Sequence, residues 1–169
     1  MRAFLKAIDS ASFWTGNTAH WLSVSLVLIM TYEVIMRYVF TAPTMWAYET
    51  VIMIGATLYA LAWSYVHYQR AHVRVDVLYI HLSSRKRATI DVVCTLLFFF
   101  PVIFALVYMS GIWAWRAWEI GEKSVETYWY PPIAPVRTMV FLGITLFALQ
   151  GIANFIRDVY TLLRNKPYD

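Results

Sequence analysis

Glu33 and Arg37 stand four residues apart inside an otherwise apolar run. On a helix that spacing puts them on one face, within pairing reach. An ionisable residue in such a run closes an ion pair, lines a transport path, or meets a charge on another subunit, and residue types alone leave all three open. A membrane-embedded acid that takes up and releases protons would be the chemistry of a small, self-contained, proton-coupled transporter. Glu33 is the candidate for that role, and Arg37 one turn away works against it by offering a fixed counter-charge. Glu49 lies three residues after Trp46 and six after Pro43, at the start of the next apolar run. There, exposed backbone N–H groups of a first helical turn favour a carboxylate. Arg87 and Asp91 repeat the four-residue spacing at the head of the third run. Four histidines, His20, His67, His72 and His81, raise a metal or haem reading, with His20 and His67 as the pair for a haem-bearing electron carrier. None has zinc-site spacing backed by cysteine or acidic ligands, and solvated loop histidines explain them. The one cysteine, Cys94, sits among apolar neighbours and offers no disulfide or CxxC chemistry. No catalytic constellation, metal site, cofactor or substrate-binding set emerges, and the chain is not expected to be an enzyme.

These residues must be positioned by apolar elements, and the chain holds four, over roughly 19–40, 48–66, 88–110 and 136–156. A hydrocarbon core about 30 Å thick needs about 20 helical residues to span it. Backbone groups in lipid must be satisfied within the segment, so each run is expected to be a helix. The expectation is an all-α integral membrane protein, one membrane domain over 1–169 with four transmembrane helices. With 60% apolar and 14% charged residues, the composition lies outside the soluble range. Aromatic residues gather near the run ends, among them Trp21, Trp46, Tyr48, Tyr65, Trp113, Trp118 and Trp129, as interfacial belts would.

Basic residues orient the chain, because loops on the cytoplasmic side retain them. Ten fall at the termini and in the middle connection (Arg2, Lys6, Arg70, Arg74, Arg85, Lys86, Arg87, Arg157, Arg164, Lys166) and four in the other two connections. Both termini are therefore expected to be cytoplasmic. The net charge of +4 is an orientation signal and implies no nucleic-acid partner. Residues 2–13 place Phe4, Leu5 and Ile8 on one helical face, suited to a short helix lying on the inner surface of the bilayer. Val75, Leu78, Tyr79 and Leu82 suggest a second such helix in the middle loop. Ser84 is a candidate cap for the third helix, and Pro101 is expected to bend it. Ala56, Ala60 and Ser64 form a small-residue stripe for close helix approach, to another span or to a neighbouring protein. The connection over 111–135 reads as the longest irregular stretch on its side, with Glu119, Glu122 and Glu126 as acids near its face.

Arg37-Tyr38-Val39-Phe40, then Pro43, Trp46 and Glu49, followed by His72-Val73-Arg74-Val75-Asp76, resembles the small membrane subunit of tripartite ATP-independent periplasmic (TRAP) transporters, the DctQ-type component. The resemblance extends to length, span count and the spacing between the two motif blocks. It implies a partnership with a large multi-span membrane subunit that carries the substrate path and the ion sites. It also implies a periplasmic binding protein that delivers a small organic acid, and residence in a bacterial inner membrane. Under it, Arg37, Trp46, Glu49, His72 and Asp76 are familial positions with structural or subunit-contact roles, and the small subunit braces the large one in the bilayer.

Overall fold

The computed structural model describes residues 2–71, 82–164 and 168. Helix α1 runs Arg2–Tyr38, α2 Met45–Tyr68, α3 Ser84–Cys94, α4 Phe100–Glu119 and α5 Ala134–Arg164. A π-helical turn, Thr95–Phe99, joins α3 to α4, so that residues 85–119 form one continuous rod. Among the described residues, four helices are long and apolar enough to cross a membrane: α1, α2, the α3–α4 rod and α5. Among the described residues every long element is a helix, joined by short connections.

Helix α5 is the hub. It packs against α1, α2, α3 and α4, while α1 also packs against α2. In the apolar window of α5, 39% of residues are buried, against 6% in the rod over 85–119. Both termini lie at one end, where the Arg2 guanidinium sits 5.8 Å above the Tyr168 ring. The α1–α2 connection and the loop between α4 and α5 form the opposite end.

Three features depart from the sequence expectation. Residues 2–13 are not a separate helix lying on a lipid surface. They are the first third of α1, a 37-residue helix about 55 Å long. Two residues of its apolar face turn to protein and the third does not: Leu5 and Ile8 form a buried cluster with Ala153, flanked by Leu149 and Ile156 of α5, while Phe4 stays exposed. Gly16 lies inside α1, and the Tyr65 ring packs where a side chain would be. The connection over 111–135 is irregular only over 120–133, because α4 continues through the aromatic residues to Glu119. The N-cap position of α3 is Ser83, one before the expected Ser84, and its side chain makes no capping bond.

Pro101 acts through the π turn. Proline has no N–H to donate to the carbonyl four residues back, and its ring crowds that carbonyl. The turn before it widens accordingly, with the Phe100 N–H bonded to the Thr95 carbonyl, five residues back. The small-residue stripe on α2 stays within the chain. Ala60 lies directly against Gly143 of α5, and the Ser64 hydroxyl is 3.3 Å from that of Thr15 on α1. The expected surface helix of the middle loop, together with His72, Asp76 and His81, lies outside the described residues.

Candidate functional site

Buried polar side chains gather at the two ends of the bundle. At the loop end, Glu33 is buried and its carboxylate is saturated. Oε1 accepts from Arg37 Nη2 at 2.7 Å and Nε at 3.1 Å, and Oε2 accepts from the Thr44 N–H at 3.2 Å and from the Thr44 hydroxyl. Thr41 supports this turn in the left-handed region (φ 50°), letting the Ala42 N–H reach back to the Met36 carbonyl. Thr44 precedes α2 yet spends its hydroxyl on Glu33 and not on its own helix. Glu33 is thus the clasp of the α1–α2 connection. Trp46 leaves its ring stacked on Tyr32, centroids 5.7 Å apart, which ties the same two helices together.

Glu49 lies one turn deeper than the sequence placed it, since α2 begins at Met45. It is 2% exposed, and its Oε1 accepts from the Thr127 hydroxyl across the bundle. The loop that brings Thr127 there is folded on itself. The Ser124 N–H donates to the Pro131 carbonyl (2.8 Å) and the Ile133 N–H to the Glu122 carbonyl (3.0 Å). Arg137, in the first turn of α5, grips Glu122 with two parallel bonds of 2.6 and 2.7 Å and lies 5.4 Å above the Trp113 ring. A lysine has no fork to make both bonds. Arg137→Lys is therefore expected to weaken the loop by about 1 kcal/mol, read as severalfold faster proteolysis within 120–133 in detergent. Cleavage at the unaltered rate would show that the fork does not hold the loop.

At the terminal end, a second network joins α1, α2 and α5. Gln150 is fully buried; its Oε1 accepts from the Ser12 hydroxyl at 2.8 Å, and its Nε2 donates to Asp9 Oδ1 at 3.0 Å. Arg157 binds the same Asp9 carboxylate, Nη2 to Oδ2 at 2.5 Å and Nη1 to Oδ1 at 3.2 Å. Asn154 donates to the His67 carbonyl at 3.0 Å, drawing in the end of α2. Arg70 and Asp158 close the rim at 3.0 Å. The sequence reading missed this network. Its signal was present, since Gln150 and Asn154 stand four apart in an apolar run, the spacing that marks Glu33 and Arg37.

Between these ends the packed layer is apolar and small-sided: Gly55, Ala60, Gly143, Ile144 and Ala148 are buried. His67 stacks flat on Phe99 (5.4 Å) and meets Phe147 edge-on, while the His20 ring meets Tyr65. Among the described residues no three His, Cys, Asp or Glu side chains form a metal-ligating group. Arg87 Nε donates to the Leu82 carbonyl at 2.9 Å, at the head of the rod.

The family model described as "Tripartite ATP-independent periplasmic transporters, DctQ component" matches residues 26–161, from the middle of α1 nearly to the end of α5. The chain belongs to the DctQ family. It is a small membrane component of a tripartite transporter and not an enzyme. The match takes in both the Glu33 clasp and the Glu49–Thr127 contact, and most of the terminal network except the α1 residues Asp9 and Ser12. Comparison with curated proteins and with solved structures finds no match.

Proposed function

We propose that this DctQ component is a bracing subunit. It holds a large multi-span membrane subunit in the inner membrane during ion-driven uptake of a small organic acid, which a periplasmic binding protein delivers. The observation that carries this is the distribution of buried polarity. Two hydrogen-bonded polar clusters fasten the ends, and the layer between them is alanine, glycine and isoleucine. A substrate path needs polar groups near the midplane, often on broken helices. The break in the third rod is instead lined by Cys94, Phe98, Val102 and Leu106, around a mostly apolar groove of about 400 Å³. That rod is the least buried of the four. It is the face we assign to the large subunit, whose helices would cover apolar surface left open by the fold.

Orientation follows the basic residues, with both termini cytoplasmic and the Glu33 and Glu49 contacts periplasmic. Arg37, Trp46 and Glu49 then act as structural residues of the periplasmic end, and His72 and Asp76 as subunit-contact positions of the middle loop. The self-contained proton-coupled reading needs Glu33 to exchange protons. Each oxygen of that carboxylate already accepts two hydrogen bonds, which leaves it no role as a carrier.

The test is purification of the tagged chain from its own membrane in mild detergent, followed by mass spectrometry. Stoichiometric recovery of a large multi-span protein is expected, with uptake in vesicles only when both are present. Recovery of the chain alone, with transport by the lone chain that Glu33→Gln abolishes, would overturn the bracing reading.

A further inference from the structure

The terminal end of the bundle carries positive charge that its own acids do not neutralise. Asp9 is spent on Arg157 and Asp158 on Arg70. Arg2, Lys6 and Arg164 are exposed and have no carboxylate partner among the described residues. Two tyrosines hold the arginines of this set. The Arg2 guanidinium lies 5.8 Å from the centroid of the Tyr168 ring, and that of Arg164 lies 6.0 Å from the centroid of Tyr160. The two rings meet edge to face, with centroids 4.9 Å apart. A touching pair of rings thus gathers one guanidinium from the start of α1 and one from the end of α5, against their mutual repulsion. Cations collected in this way, with no acid among them, make a surface that favours an anion.

What adjoins the cluster selects the anion. Phe155, Ile156, Val159, Tyr160 and Leu163 line an open groove of about 250 Å³ whose surface is almost wholly hydrocarbon. Tyr160 belongs to both features, and Arg164 follows Leu163 directly. The depth is that of lipid phosphates. Leu5 and Ile8 pack on Ala153 beside Ile156, where the apolar run of α5 ends. Arg2 lies about one helical turn beyond Leu5, and Arg164 about two turns beyond Ile156. Arginine side chains are long enough to reach back from there to the headgroups. Their forked N–H groups match the oxygens of a phosphodiester. A soluble phosphate would use the forks and leave the groove empty. A zwitterionic headgroup would bring its ammonium to a surface already short of carboxylates. A phospholipid of net negative charge uses both the cations and the groove.

We propose that Arg2 and Arg164, held by Tyr168 and Tyr160, bind the phosphodiester of an anionic phospholipid, with one acyl chain in the groove along α5. The lipid ties the start of α1 to the end of α5. The inference rests on the membrane reading of the four helices and not on the bracing role.

Native mass spectrometry of the delipidated full chain tests it, with phosphatidylglycerol and phosphatidylethanolamine of identical acyl chains added in equal amounts. Retention of the glycerol lipid is expected to exceed that of the ethanolamine lipid by about tenfold. Arg2→Gln combined with Arg164→Gln should bring the ratio close to unity. Arg116→Gln combined with Lys123→Gln removes the same charge from exposed positions at the loop end and should leave the ratio unchanged. Val159→Trp, which fills the groove, should lower retention of the glycerol lipid with both arginines intact. Equal retention of the two lipids by the native chain overturns the proposal, as does an unchanged ratio in the Arg2 and Arg164 double variant. An equal loss in both double variants would reduce the effect to net charge and overturn the site. Displacement of the lipid by an equal concentration of glycerol phosphate would reveal a phosphate site with an idle groove, and the lipid assignment would be wrong. If the native chain shows no preference but the Arg2 and Arg164 double variant loses the large subunit on purification, the anion belongs to that subunit and the assignment again fails.

Discussion

Asp9→Ala is expected to lower the stability of this chain by about 2–4 kcal/mol, because it strips the carboxylate from a guanidinium held in a mostly buried setting. The Arg157 and Asp9 side chains are 15% and 20% exposed, and the fully buried Gln150 depends on the same carboxylate through its amide nitrogen. One substitution therefore disturbs two donors on α5. Asp9→Asn retains an oxygen for one of them and should cost about half as much. Replacing both ends of the pair, Asp9→Ala with Arg157→Met, should recover part of the loss, since the penalty lies in the orphaned charge and not in the missing attraction. Arg70→Ala is the contrast. Its side chain is 44% exposed, and an exposed pair is worth about 0.5 kcal/mol. Thermal unfolding in one detergent, followed by tryptophan fluorescence, ranks the four variants. Equal midpoints for Asp9→Ala and Arg70→Ala would show that the terminal network does not carry the load assigned to it.

That network also shows where sequence reasoning runs out. Four helices long enough to span were legible because about twenty apolar residues in a row have few other uses, and the Glu33–Arg37 spacing offered the ion pair as one of three readings. Thr44 did not announce itself, since a threonine just before a helix reads as its cap. Only the folded α1–α2 turn brings its hydroxyl to Glu33. Thr127 reaches Glu49 from 78 residues away, and no local pattern encodes such a pairing. The fate of residues 2–13 was ambiguous for a physical reason. An amphipathic helix presents the same stripe whether lipid or protein covers it. The choice belongs to α5, whose Ala153 and Gln150 offer Leu5 and Ser12 matching partners. Pro101 was visible as an irregularity, but its resolution as a π turn depends on the aromatic packing around it: Phe99 sits against Gly151, His67 and Phe147.

The second large effect lies in the apolar layer, at Gly143. A Cβ there would stand 2.6 Å from the carbonyl carbon and oxygen of Ala60 and 2.8 Å from its Cβ. Two of those atoms are backbone, so no rotamer change relieves the overlap, and α2 and α5 must separate. Lipid supplies no hydrophobic drive to close the gap again, because packing between helices in a bilayer depends on close contact itself. Gly143→Val is expected to cost about 3 kcal/mol, the upper end for overpacking. Two other glycines calibrate the claim. At Gly151 the obstacle is the outer edge of the Phe99 ring, at 2.2 Å, which can swing toward the groove beside it, so Gly151→Ala should cost less. At Gly55 the nearest atom is a Leu26 methyl at 3.8 Å, and Gly55→Ala should be neutral or gain up to about 1 kcal/mol from helix propensity. The order of unfolding midpoints, Gly55→Ala above Gly151→Ala above Gly143→Val, tests the packing argument without reference to any partner. Recovery of the large subunit with each variant then tests the bracing role. A brace whose central seam is forced open should lose its load in the same order, and retention of the large subunit by an unstable Gly143→Val chain would place the contact on the outer rod alone.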